Sequence, residues 1–579
     1  MKKFLIFALL GLIVYSRFVG LDWGLPYPMH PDERNIVIAI ERLHCDFSTF
    51  TLTADWLKQC FNPEFFAYGQ PPIFAAYVLS RIWQAMDGTF HQPISFVDAT
   101  LALRFLSALA SVMNVWILYK IFQHFAFLWK KEADTVKKYS ILSIPLLALT
   151  PYFVQFSHFG TTESLLMLLY SSIVYFSLKL VDRRHSEKVD HVYVISVLGL
   201  LVGFSVAVKI SSVLFCAVPL LSLLFVKLPV RKKAFYMCYL GFITILTAAV
   251  FSLHSLIHWS DFIGSMSYET NVGRGLYKAF YTRQFEFAIP FLFQVHKVLP
   301  YVFGLPQLLL ILFGFVMLPW KNRSMLFLRA TVLLFLVPTL FLYAKWTRFL
   351  APVFPIMTLF AALALLRIVE KIKISQVRRY VVFLTVVMVC SLQGIAYMRI
   401  YQDQDVRFQA SEWIYSHIPE GSKILSETAN VIDIPMPTAK NPTYYHLYPI
   451  VSFDFYNMDA NAELQSNLKE FVDGGAYIFV PSRRIFSNHT CLKTDTWEAN
   501  TIGYTSSRCA ELTKTYPLLN DYYAALFSEK LGYRQVAKFT SYPRIELFGW
   551  KIFEFPDEGA EETWTVFDHP VIRIYQKAS

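Results

Sequence analysis

The chain has 579 residues, 55% of them hydrophobic, 17% aromatic and 16% charged, with a net charge of +11. A soluble chain carries about 25% charged residues, whereas apolar runs of about 18 residues or more recur here between residues 4 and 398. A soluble enzyme, a nucleic-acid reader and a single-anchor receptor are excluded, and a polytopic α-helical membrane protein is expected.

The start, Met1-Lys2-Lys3-Phe4, has the look of a signal peptide. No small-residue cleavage site follows Gly20, and Leu21-Asp22-Trp23-Gly24-Leu25-Pro26 suits a retained first span entering an interface. The apolar runs predict eleven spans, at about 4–20, 99–125, 139–157, 162–180, 192–208, 211–227, 235–257, 294–318, 327–343, 350–367 and 380–399. With the N-terminus inside, every inner connection is basic: Lys130-Lys131 to Lys138, Arg183-Arg184 to Lys188, Lys227 to Lys233, Lys321 to Arg329, and Arg367 to Arg379. Pro71–Met86 is apolar but short and contains Arg81. Counting it as a span would put all the basic loops outside, so it is read as a helix at the outer interface.

Two outer regions are large. In the first, 21–98, Ile36, Val37, Ile40 and Leu43 share one helical face within Asp32–Leu43, as in a helix on the membrane surface. The second, 400–579, has ordinary charge content. It predicts helices at Ser411–Ile418 and Asn520–Glu529 and strands at Lys423–Glu427 and Ala476–Val480, a small extracytoplasmic α/β domain following a membrane module of residues 1–399. Cys45 and Cys60 share the first outer region and Cys491 and Cys509 the second, so each pair is expected to form a disulfide outside the cytosol. Asn488-His489-Thr490 matches a glycosylation sequon.

Polar residues at the outer ends of the spans are the candidates for chemistry. Asp32 and Glu33 follow His30-Pro31 and fall in the first turn of a helix, where its dipole favours ionised carboxylates. Glu163 stands at the mouth of spans three and four. Arg104, Lys209, Lys345 and Arg348 mark the same face. Cations opposed by carboxylates at headgroup depth suit a lipid phosphate. His254 and His258, four apart, make His258 a weak candidate metal ligand. Phosphate-binding Gly-Lys-Ser/Thr loops, metal-ligand cysteine clusters and nucleophile elbows are absent from the sequence.

The order His30-Pro31-Asp32-Glu33, Gln70-Pro71-Pro72-Ile73, Leu103-Arg104-Phe105-Leu106, Thr150-Pro151 to Glu163, Val208-Lys209-Ile210 and Trp346-Thr347-Arg348-Phe349-Leu350-Ala351-Pro352 resembles the integral-membrane GT-C glycosyltransferases of the protein O-mannosyltransferase and aminoarabinose–lipid A transferase type. The resemblance covers about residues 1–400. It implies an enzyme of the periplasmic face of a bacterial inner membrane that takes sugar from a polyprenyl-phosphate donor to a lipid, glycan or protein acceptor, with no nucleic acid involved. It maps the essential acid onto Asp32 with Glu33 beside it, the second acid onto Glu163, and the donor-phosphate cations onto Arg104, Lys209 and Arg348. Tyr68-Gly69-Gln70 stands where relatives carry His or Lys before the double proline, so no cofactor is required by the match, and a divalent metal remains an option.

The expected reaction is an inverting single displacement in which Asp32 takes the acceptor proton, cations stabilise the leaving phosphate, and no dedicated general acid is needed. A transporter or lipid flippase is the alternative. It predicts mid-span charges, helices broken by Gly or Pro and two similar halves.

Overall fold

The computed structural model describes residues 2–45, 53–129, 132–182, 190–427, 432–442, 444–492 and 501–578. Among the described residues, seven helices are long and apolar enough to cross a membrane: Phe96–Trp129, Glu163–Val181, His191–Val208, Val230–Phe251, Arg323–Leu340, Thr347–Lys371 and Gln376–Gln402. The basic clusters at 130–131 and 183–188 lie largely or wholly outside the described residues.

Four of the eleven expected spans take other forms. The first is helix Lys2–Phe18. The run 139–157 is broken into Ala133–Leu142, Ile144–Ala148 and Pro151–Ser157, because Pro145 and Pro151 each occupy a first helical turn and cannot continue a preceding helix. The run 211–227 is a 3-10 turn, Ile210–Cys216, leading into Ala217–Phe225. The run 294–318 bends by 114° between Leu292–Phe303 and Leu305–Met317. Its hinge, Gly304, has φ +77°, and a Cβ there would meet the Gln393 side chain at 2.7 Å.

The spans pack around a buried apolar core, with Thr347–Lys371 almost wholly enclosed. In the first large connection, helix Pro31–Arg42 buries Ile36, Val37 and Ile40, with Leu43 beside them, against helix Gln70–Met86 and the first turns of Phe96–Trp129. The apolar stripe expected to lie on lipid is thus covered by protein. Gln70–Met86 instead turns Val78, Ile82 and Met86 outward at helical spacing.

The C-terminal part carries the expected helices at Val406–His417 and Pro517–Phe527 and a five-stranded mixed sheet. The strands are β1 (Ile424–Glu427), β2 (Ile450–Phe453), β3 (Tyr477–Val480), β4 (Tyr533–Phe539) and β7 (Ile572–Lys577), in the order β2-β1-β3-β7-β4. β1 runs parallel to β2 and β3, whereas β7 is antiparallel to β3 and β4. Alternation along the strands gives the sheet two buried faces. Leu425, Ile478 and Tyr575 join a separate core with Phe486, Leu519 and Tyr523, while Ile424, Phe479 and Ile574 belong to the core continuous with the spans. A further hairpin, β5 (Arg544–Leu547) and β6 (Trp550–Glu554), stands apart from the sheet. Disulfides join Cys45 to Cys60 and Cys491 to Cys509.

Candidate functional site

Chain direction brings the candidate residues to one end of the bundle. Asp32 and Glu33 follow the C-terminus of the first helix, Arg104 lies near the start of Phe96–Trp129, and Glu163 opens Glu163–Val181. Lys209 caps the C-terminus of His191–Val208, and Arg348 lies at the start of Thr347–Lys371.

Helix Pro31–Arg42 begins with Pro31 at its first position and His30 as N-cap, whose Nδ1 accepts from the Glu33 amide at 3.4 Å. That role needs an unprotonated Nδ1. Burial, followed by the charges of Arg348, Arg104 and Arg484, holds His30 well below the usual histidine range. Its ring packs on Phe567 at 4.4 Å and Phe159 at 4.7 Å.

The two adjacent carboxylates have separate surroundings. Glu33 is 2% exposed. Arg104, fully buried, donates to both its oxygens at 2.7 and 2.9 Å, and the Gly160 amide donates to it at 2.6 Å. Arg104 also donates to the Leu21 and Trp23 carbonyls, and its guanidinium lies 4.3 Å from the Trp23 ring centroid. Four of its five N–H groups are therefore engaged, and neither member of the pair lines the two cavities beside Asp32. Arg104 and Glu33, expected as a phosphate ligand and as a catalytic group, are thus bound to each other in this structure. A bidentate buried pair locks the first loop onto the second span. Gly160 is required at its place, since a Cβ there would approach Glu33 Oε2 to 2.9 Å and Leu103 Cβ to 2.7 Å.

Asp32, by contrast, is half-buried and paired with Arg348. It lies on the wall between two spaces. The larger, about 480 Å³, is lined by the basic side chains Arg34, Lys209, Arg274, Arg348 and Arg484 against the carboxylates Asp32 and Glu269, with Tyr68, Tyr268, Tyr281 and Trp346 among the aromatic walls. The smaller, about 20 Å³, is shared by Asp32, Glu163, His30, Thr161 and Arg348 and has room for one water-sized group. Glu163 lies 3.8 Å from the Lys209 ammonium, which stands 5.0 Å from the Tyr68 ring centroid. The Arg348 guanidinium reaches the Tyr68 hydroxyl at 3.5 Å and covers Trp346 at 4.8 Å. Burial raises the Glu269 carboxyl, with Lys209 pulling it the other way.

The Tyr68-Gly69-Gln70 turn now has a physical role. The Gly69 amide donates to the Val208 carbonyl at 3.0 Å, and a Cβ at Gly69 would lie 1.6 Å from the Ala207 oxygen. This close approach sets Tyr68 beside Lys209. An apolar space of about 280 Å³, walled by Val206, Ala207, Ile245, Ala248, Leu256 and Phe262, shares Ala67, Tyr68, Ile210 and Met266 with the charged cavity and so continues from it.

Sequence reasoning missed the roof. Arg484, Thr563 and Phe567 come from the C-terminal part and line the charged cavity. Their segment is pinned to the spans by Glu561, which accepts from the Thr347 amide and hydroxyl at 3.1 Å and from Gln284 at 2.8 Å. Arg484 is buried 3.5 Å from Glu562. The Arg483-Arg484 doublet was the one local signal, and nothing in it indicated the cavity.

The remaining candidates stand apart. His258 Nε2 lies 3.0 Å from the Lys58 carbonyl, and its Nδ1 is 3.9 Å from Asp261. Among the described residues no group of three or more His, Cys, Asp or Glu side chains converges on a point where a metal ion would sit. Lys345 is buried and donates to the Leu342 and Tyr343 carbonyls. Asn488 is 0% exposed, so its tripeptide is inaccessible to modification in the folded chain.

The sequence matches two family models, the dolichyl-phosphate-mannose-protein mannosyltransferases over residues 95–253 and the Alg9-like mannosyltransferase family over residues 288–448. No curated protein matches the sequence. Among solved structures, apo ArnT from Cupriavidus metallidurans is similar at 14% identity and a TM-score of 0.47, over 83% of this chain and 92% of that one. ArnT from the same organism bound to undecaprenyl phosphate gives 11%, 0.45, 83% and 92%. The Archaeoglobus fulgidus oligosaccharyltransferase tethered to an acceptor peptide gives 11%, 0.46, 84% and 71%. Each model spans less than a third of the chain, and both describe mannosyltransferases; the chain is a glycosyltransferase with membrane-spanning helices.

Proposed function

We propose that the protein transfers a sugar from a polyprenyl-phosphate donor to an acceptor hydroxyl at the outer face of the membrane, by inverting single displacement. The observation that carries this reading is the position of Asp32, on the wall shared by a cation-rich cavity and a water-sized cleft that also holds Glu163. The continuous apolar space suits the first isoprene units, and five basic side chains against two carboxylates suit the phosphate. The matched description of dolichyl-phosphate-mannose as donor supports the same carrier class.

In this mechanism the donor phosphate competes with Asp32 for Arg348. Once released, Asp32 accepts the acceptor's proton while the acceptor oxygen bonds to the anomeric carbon. The bond from that carbon to the phosphate oxygen breaks, and its electron pair leaves with the polyprenyl phosphate. Lys209, Arg348 and Arg484 stabilise the growing charge. Glu163, anchored by Lys209, orients the acceptor hydroxyl. Glu33 and Arg104 are positioning residues that hold the loop bearing Asp32. Asp32 faces Arg348 and Glu163 faces Lys209, and the steps use these side chains and Arg484 alone.

Two measurements test this. Purified protein is given a panel of polyprenyl-phosphate sugars with release of polyprenyl phosphate recorded; release with one sugar fixes the donor, and release with none refutes the class. An Asn35→Cys chain in intact cells should react with a membrane-impermeant thiol reagent applied outside. Reaction only from the cytosolic side would refute the sidedness.

A further inference from the structure

Hairpin β5–β6 has an apolar tip that no described part of the chain covers. Phe548 is 92% exposed and Trp550 77%, and Leu547, Ile552 and Phe553 are exposed as well. Successive strand residues point to opposite faces, so Ile552 and Phe553 leave both faces of the ribbon apolar. A flat protein partner would cover one face only, whereas a lipid medium covers both.

The turn sharpens the point. Leu547 pairs with Trp550, and the two residues between them both have positive φ, Phe548 at 52° and Gly549 at 80°. Two-residue hairpin turns of this kind favour Asn-Gly. A phenylalanine there adopts a backbone region it rarely enters, while its ring stays exposed among the described residues.

The ion pairs at the root of the hairpin give its direction. Arg544 pairs with Asp403, at the end of helix Gln376–Gln402, and Glu546 pairs with Arg399 at 3.3 Å. Between these two strand residues the chain advances about 7 Å, and the partners step back four helical residues, or about 6 Å. The strand therefore runs along the outside of the helix from Asp403 back toward Arg399, in the direction of the middle of the span. A 27-residue helix is about 40 Å long, against about 30 Å of hydrocarbon. Arg399, three residues from its end, then lies near the hydrocarbon boundary, and Phe548 about 7 Å deeper. Beside this site, Gln402 donates to the Tyr15 hydroxyl at 3.1 Å, and Tyr15, Val14 and Leu10 continue the exposed apolar surface along the first helix.

We infer that hairpin β5–β6 inserts into the outer leaflet of the bilayer, with Phe548 and Trp550 in the acyl region just below the headgroup–acyl boundary. Because the segment that follows the hairpin carries Glu561, Thr563 and Phe567, lipid insertion would tie the roof of the cavity to the membrane surface.

The test uses the full chain in lipid nanodiscs with Cys216, Cys238 and Cys390 changed to Ser and a nitroxide on Phe548→Cys. A matching label on Lys469→Cys, at an exposed position of the C-terminal part, serves as reference. Collisions with dissolved oxygen should persist at position 548, and collisions with a water-soluble nickel chelate should be lost. Chelate access equal to that at Lys469 would overturn the inference. Where the cysteine changes impair folding, benzoylphenylalanine at position 548 in the otherwise native chain gives the same decision: adducts to lipid support insertion, and adducts to a second polypeptide or no lipid adduct overturn it.

Discussion

The buried pair Glu33–Arg104 is open to a double-mutant cycle. Arg104→Met leaves Glu33, 2% exposed, with the Gly160 amide as its remaining hydrogen-bond donor at 2.6 Å. Removing one partner of a fully buried pair costs about 3–5 kcal/mol. At about 2.1 cal/mol/K per residue, the unfolding entropy of 579 residues is about 1.2 kcal/mol/K, so a loss of about 4 kcal/mol lowers Tm by about 3 °C. Glu33→Gln combined with Arg104→Met removes the orphaned charge and should recover at least half of that loss. Thermal unfolding in detergent, followed with donor titration, reads the cycle. If Arg104→Met instead left Tm unchanged and raised the donor Kd, Arg104 would be a phosphate ligand after all and its positioning role would be refuted.

Further outcomes can be checked in parallel. Gly69→Ala forces a Cβ to within 1.6 Å of the Ala207 oxygen; it should cost about 1–3 kcal/mol or more in stability, read by thermal unfolding, and raise donor KM by displacing Tyr68. Lys209→Met should weaken donor binding about ten- to hundredfold, as expected for one charge-assisted contact, measured by titration with a polyprenyl phosphate. Glu427, buried in β1 and accepting from the Tyr523 hydroxyl at 2.6 Å, is pushed by burial up to about 8. Its folded pKa lies above its unfolded one, so the folded state holds the proton more tightly and stability falls as pH rises from about 4.5 to 8. Glu427→Gln should flatten the dependence of Tm on pH across that window and stabilise the chain at pH 8 by roughly 4 kcal/mol; an unchanged pH slope would contradict the assignment.

Much of the membrane part was legible because hydropathy and alternation are local signals. Asp32, Arg104, Glu163, Lys209 and Arg348 could be placed at one end by following chain direction from span to span. What the sequence hid was pairing. The surroundings of adjacent Asp32 and Glu33 diverge only because Arg104, 71 residues away from Glu33, binds the second and Arg348 binds the first. The break at Pro145 and Pro151 was obscured by an unbroken apolar run. Arg484 and Phe567 were invisible as site residues because they reach the cavity from more than 130 residues beyond the last site cation on the spans.

The central claim is that Asp32 accepts the acceptor's proton. Single-turnover release of polyprenyl phosphate by purified Asp32→Asn protein, with donor binding measured on the same sample, tests it most directly. The account predicts a rate lower by about 10²–10⁴ with donor still bound; release at a near-normal rate would contradict it.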